Sequence, residues 1–114
     1  MLKSDRVRLL HMLDAAREAV GFAQARSRSD LDSDRMLNLS LVRLIEIIGE
    51  AAARVSPETR SKHPAIRWPG IIGMRHRIAH GYDQINFDIV WEVATVDLPP
   101  LIAQLEHILS IEKP

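Results

Sequence analysis

An all-α fold, an antiparallel bundle of about five helices forming one domain over residues 1–114, is what the sequence predicts. Only 4% of the residues are aromatic, whereas Leu, Ile, Ala, Arg and Glu abound, a composition of helices rather than of a β-sandwich. Two runs of about twenty residues repeat apolar side chains at spacings of three and four, the period of one helical face. At 114 residues and 46% hydrophobic, the chain can bury one thin core, which a partner subunit would thicken.

Ser4 is a candidate cap for a first helix reaching about Arg26, with Leu9, Leu13, Ala16, Val20 and Ala23 on its inner face. Arg6, Asp14, Arg17 and Glu18 fall on the outer face. A polar link, Ser27 to Ser33, leads to a second helix whose stripe is Leu37, Leu41, Leu44, Ile48, Ala51 and Val55. Leu39, Ile45 and Ile47 widen that stripe and predict burial on two sides. Ser56-Pro57 opens a short third helix that His63-Pro64 ends. Trp68-Pro69 opens a fourth, expected to run to His80 and to stop at a left-handed Gly81. Asn86 caps a fifth, which continues or kinks through Pro99-Pro100 to about Ile111.

The chain contains no cysteine, which excludes disulfides and thiolate metal sites. No apolar run is long enough to span a bilayer, and the first residues lack the apolar segment of a signal peptide, so a cytoplasmic protein with no membrane partner is expected. The net charge is zero, but it is unevenly placed. Arg54, Arg60, Lys62, Arg67, Arg75 and Arg77 face a single acid, Glu58, in the central segment, and an acidic tail follows.

In the fourth helix, Ile71, Arg75, Ile78 and Ala79 share a face, so an arginine interrupts an apolar stripe and requires an anion. That anion is either a structural partner such as Glu46 or Glu50, or a ligand. Arg75 to Tyr82 gathers a fixed cation, two imidazoles and a phenol within eight residues, a set suited to phosphate chemistry. An RNA phosphodiester is cleaved by its own 2′-hydroxyl when a base takes that proton, an acid protonates the leaving 5′-oxygen and a cation stabilises the phosphorane. His80 fits the acid–base role and Arg75 the cation; His76 and Arg77 are accessory candidates, and neither metal nor cofactor is required. On an ideal helix, residues five apart diverge by about 140°, so Arg75 and His80 need either a helix that ends early or a second copy across a dyad. A symmetric homodimer with the site at its interface supplies two histidines.

Arg-x4-His-x-Tyr, preceded by Trp-Pro-Gly-Ile-Ile-Gly-Met, resembles the HepT-like branch of the HEPN ribonucleases, and the similarity extends over essentially the whole chain. The Ile45-Glu46-Ile47-Ile48-Gly49-Glu50-Ala51-Ala52 stretch and Asp97-Leu98-Pro99 are similar to that family as well. The resemblance implies a HEPN-like bundle and a dimeric, metal-independent RNase toxin acting on tRNA or mRNA. It further implies a cognate minimal nucleotidyltransferase antitoxin that silences the toxin by placing AMP on Tyr82, with Arg75 and His80 catalytic. The residue after the arginine is often asparagine in the family; here it is His76.

Two other readings remain open on the residues alone. His76 and His80, four apart on one helical face and with Asp83 nearby, have a metal-binding spacing. Alternatively, the chain is a non-catalytic helical partner that helps a minimal nucleotidyltransferase bind its substrate. His11, His63 and His107 are expected at the surface or in packing, Trp68 and Trp91 as core or interface anchors, and Tyr82 without the resemblance would be expected to pack against the fifth helix.

Overall fold

In a computed structural model that describes residues 1–112, two long antiparallel helices, α1 (Lys3–Ala23) and α3 (Arg35–Ala53), pack along their lengths, and α8 (Leu98–Ile111) closes the layer against α1. Short helices fill the connections: α2 (Asp30–Ser33), α4 (Pro57–Lys62), α5 (Trp68–Ile72), α6 (Met74–Ile78) and α7 (Phe87–Glu92). The all-α class is borne out, and no strand occurs among the described residues. None of their helices is long and apolar enough to cross a membrane.

The two apolar stripes form the core. Leu9, Leu13, Ala16 and Ala23 of α1 meet Leu37, Leu41, Leu44, Ile48 and Ala51 of α3, all buried. Each large aliphatic side chain buried this way contributes roughly 1.5–3 kcal/mol. Burial of a second side of α3 is partial: Ile45 is inside, whereas Leu39 remains half exposed.

Helix α1 starts one residue before Ser4, and no side chain caps it. Its entry is set instead by tertiary contacts with the end of α8. Arg6, expected to face solvent, donates to the Glu112 carbonyl at 2.8 Å, and the Met1 ammonium lies 3.8 Å from the Glu112 carboxylate. The helix ends at Ala23, short of Arg26, because Ala25 adopts a left-handed φ of 60°. The polar link after it is an ion-pair network around α2: Arg26 reaches Asp30 and Asp34, and Arg28 reaches Asp32 and Asp88.

Ser56 caps α4 as expected, accepting from the Thr59 N–H at 3.3 Å. Asp5, 2% exposed, clamps this corner to α1 by accepting from the Ser56 N–H (2.9 Å), the Ser56 hydroxyl (2.6 Å) and the Thr59 hydroxyl (2.6 Å). Burial by itself raises the Asp5 pKa, but these donors outweigh it and hold the carboxyl below its ordinary value of 3.8. Asn86 caps α7 through Ile89 N–H at 3.1 Å. A π-helical turn, Val93–Asp97, then splices α7 to α8, so the fifth helix of the sequence continues without interruption to Ile111. Pro99 and Pro100 fall just after the π turn, and their missing N–H groups leave carbonyls of that turn without helical donors, which accords with the irregular winding there.

Because its native pKa is depressed, Asp5 stabilises the fold fully above the unfolded-state value and loses that contribution as pH falls through the native one. Asp5→Asn is expected to cost about 2–3 kcal/mol in urea unfolding at neutral pH, since it removes the charge and turns one of the two acceptor oxygens that three donors share into a donor. The gap between the two proteins narrows on acidification below the ordinary aspartate range.

Candidate active site

The segment read as one helix from Pro69 to His80 is two short helices. Gly73 separates them, its N–H bonding back to the Pro69 carbonyl at 3.0 Å, and α6 stops at Ile78 rather than at Gly81. Ala79 is extended (φ −145°, ψ 135°) and pairs with Ile85 as an antiparallel bridge. His80 N–H donates to the Gln84 carbonyl at 3.0 Å, and Asn86 N–H to the Ile78 carbonyl at 2.7 Å. These partners draw residues 79–80 out of the helix and into a tight hairpin. No glycine among the described residues has a positive φ, so the left-handed stop expected at Gly81 does not occur.

Two buried side chains anchor α6, Met74 at 1% and Ile78 at 0% exposure. Arg75, between them in sequence, points outward with its side chain 53% exposed, so the expected arginine inside an apolar stripe is instead a surface arginine at the rim of a cleft. Its Nε lies 3.8 Å from Glu46 of α3, one of the two acids expected; Glu50 lines a different hollow with Arg8 and His11. Glu46 also meets Arg43 at 3.4 Å. The Arg75–Glu46 contact is long and partly solvated, worth about 0–1 kcal/mol at most. Arg75 makes no side-chain hydrogen bond to any described residue, so its guanidinium fork is open to a ligand.

The cleft encloses about 540 Å³. Arg35, Asn38, Leu39, Val42 and Glu46, one face of α3, form one wall; Arg75 and the hairpin residues Ala79, Gly81, Tyr82, Asp83 and Ile85 form the other. Tyr82 stands at the hairpin tip, 94% exposed, and does not pack against the fifth helix. The structure therefore brings Arg75 and Tyr82 to one cleft. His80 is exposed and adjoins that wall in sequence, but is not itself among the residues lining it within one copy.

Successive residues of α6 fan outward by about 100° each. Arg77 accordingly leaves the Arg75 cleft and meets Asp97 at 3.4 Å on the far side, while His76 lies exposed between them. With His80 outside the helix, the four-residue helical spacing of His76 and His80 is lost, and no group of three or more His, Asp or Glu suited to a metal occurs among the described residues. His11 and His107 are surface residues; His63 contacts Glu112 at 3.3 Å, and its carbonyl accepts from the buried Trp68 indole at 3.0 Å. Trp91 is half-buried.

Arg35 was not singled out from the sequence. Its signal was present, since 35, 38, 39, 42 and 46 repeat at three and four and mark a second face of α3 turned toward the cleft. Gly49 explains how the walls approach. A Cβ there would come within 3.2 Å of the Ile71 carbonyl oxygen and 3.3 Å of that of Ile72, so any larger residue requires the α5 backbone to shift by a few tenths of an ångström.

The model of the family described as ribonuclease HepT-like matches residues 12–108. The chain belongs to this family. Its enzyme class, ribonuclease, follows from that membership and agrees with the sequence reading. A protein of Caldanaerobacter subterraneus subsp. tengcongensis named "Putative RNase" is 35% identical over 98% of this chain and 100% of its own length. "Probable ribonuclease HepT" of Thermococcus cleftensis is 28% identical over 69% of this chain and 72% of its own. No solved structure shows a significant match.

Gly49→Ala gains about 1 kcal/mol of helix propensity, but presses a methyl group against two backbone carbonyls, an overpacking that costs about 1–3 kcal/mol. Net destabilisation in urea unfolding is expected, together with displacement of Arg75 seen as shifted backbone amide resonances of residues 71–78. A more stable variant with unshifted resonances would mean that α5 yields freely.

Proposed function

We propose that the protein is a metal-independent endoribonuclease that cuts tRNA or mRNA by attack of the 2′-hydroxyl, working as a homodimer and serving as the toxin of a toxin–antitoxin pair. The observation that carries this reading is the shared cleft of Arg75 and Tyr82, with an arginine fork free of hydrogen bonds to described residues beside an exposed phenol and with His80 on the hairpin segment between them in sequence.

Arg75 holds two non-bridging phosphate oxygens and offsets the charge that accumulates on the phosphorane. One histidine removes the 2′-hydroxyl proton as that oxygen attacks phosphorus; another protonates the 5′-oxygen as its bond breaks. The products are a 2′,3′-cyclic phosphate and a 5′-hydroxyl. Two His80 residues across a dyad supply both transfers, and His76 beside Arg75 is an accessory phosphate contact. Half-exposed Leu39 on the cleft wall and Met36, 81% exposed on the same helix, supply apolar surface for a second copy. Arg77 serves in this reading outside the reacting centre.

Silencing by a minimal nucleotidyltransferase is part of the same reading, and the exposure of Tyr82 supports it. Its phenol oxygen attacks the α-phosphorus of ATP and pyrophosphate leaves, so that an AMP diester places bulk and negative charge in the Arg75 cleft. RNA phosphate then has neither room nor a free cation.

The test is purified protein, free of antitoxin and in EDTA, incubated with total tRNA and mRNA. Cleavage leaving 2′,3′-cyclic phosphate is expected, reduced about 10²–10³-fold in Arg75→Ala and about 10²–10⁴-fold in His80→Ala. Tyr82→Phe is expected to keep cutting and to escape the antitoxin. No cleavage by protein whose Tyr82 is unmodified by mass spectrometry would favour the non-catalytic partner of a nucleotidyltransferase instead.

A further inference from the structure

The central basic segment has cations that the cleft of Arg75 does not use. Arg60 and Arg67 line an open groove of about 530 Å³ along α4 and the start of α5. Arg67 and Arg77 line a second of about 550 Å³ between α5–α6 and α8. Arg67 is common to both, so the two hollows adjoin at that side chain and form a stepped groove.

The electrostatics of this groove are one-sided. Arg67 is exposed and has no ion pair or side-chain hydrogen bond to a described residue. Arg60 is half-buried and makes no ion pair or side-chain hydrogen bond to a described residue, although its Nε is itself shielded from the groove. The only carboxylate on the lining is Asp97, at 3.4 Å from Arg77 in a solvated contact. Three guanidinium groups facing one acid call for an anion with several charges in a row.

Ser61 and Gln104 add two polar side chains, and the exposed remainder is largely apolar: Pro64 and Pro69 in one half, Val96 and Pro100 in the other. That surface suits the flat faces of unstacked bases and carries few groups able to read their edges. Arg75 and Arg77 stand two residues apart on α6, about 200° around its axis, so the groove and the candidate active site flank opposite sides of that short helix with exposed His76 between them.

We infer that the Arg60–Arg67–Arg77 groove is a single-strand binding track, holding the backbone of the substrate RNA beside the nucleotide that Arg75 engages. This rests on the reading of RNA as the substrate. The track grips phosphates with little regard to sequence, and Asp97 tempers its affinity by partly neutralising Arg77.

The probe is a fluorescent 2′-O-methyl oligoribonucleotide, which has no attacking hydroxyl and so reports binding alone, titrated at several salt concentrations against the full chain. Arg67→Gln, at a site with no partner to lose, is expected to raise Kd several-fold and to reduce the slope of log K against log salt by about 0.7. Asp97→Asn is expected to do the reverse, tightening binding and steepening the slope. Unchanged Kd and slope in both variants would overturn the track. So would polyglutamate binding as tightly as the oligonucleotide with the same response to the variants, since the groove would then fit an acidic protein partner. Failure here is separable from failure of the nuclease reading: a wild-type protein that cuts RNA while both variants bind normally refutes only the track, and one that binds through Arg67 but never cuts refutes only the nuclease.

Discussion

The close approach of α5 to α3 at Gly49 is the constraint on which the candidate site depends. A helix normally keeps a neighbour at side-chain distance; here two peptide carbonyl oxygens lie 3.2 and 3.3 Å from where a Cβ would be. That contact draws α6, one residue beyond α5, against the flank of α3. Only then do Arg75 and Glu46 face each other, and only then do Arg35 and Val42 become the opposite wall of a cleft rather than a stretch of helix surface. Buried Met74 and Ile78 keep α6 from rolling, so the outward direction of Arg75 is set by packing beneath it.

The second determinant is the early end of α6. Had the helix continued, His80 and Tyr82 would point in directions fixed by its pitch, and His80 would diverge from Arg75. Pairing of residues 78–80 with 84–86 releases both side chains from that geometry and raises Tyr82 on a short hairpin. Hydrogen bonds lost from the helix are remade across the turn, so the departure leaves little backbone unsatisfied. A fixed cation on a rigid turn and a titratable group on a more independent segment form a sensible division for phosphoryl chemistry, where charge stabilisation needs rigidity and proton transfer needs reach.

At the far end of the molecule, Asp5 performs a different task. Three donors from the start of α4 converge on one buried carboxylate of α1, pinning the corner from which α5 departs. The π turn before α8 offsets that helix against α6 and carries Asp97 to Arg77.

Much of this was legible in the sequence because periodicity and capping are local. The inner faces of α1 and α3, the Ser56 and Asn86 caps and the His63-Pro64 stop all appear where spacing and backbone chemistry place them. Ser4 did not cap α1, since contacts of Arg6 and Met1 with the distant Glu112 decided where that helix begins. The Arg75 to Tyr82 motif was likewise visible as a set of residue types, and membership of the ribonuclease HepT-like family agrees with it. The sequence by itself thus determined the two long helices and their inner faces, the caps of α4 and α7 and the residue types that carry chemistry, since each depends on neighbours within a turn or two. Tertiary structure alone decided that Arg75 faces Glu46 across a cleft, that Arg77 turns away to Asp97 and that His80 leaves the helix. Those outcomes rest on contacts between segments many residues apart, and no local pattern encodes how closely two backbones will pack.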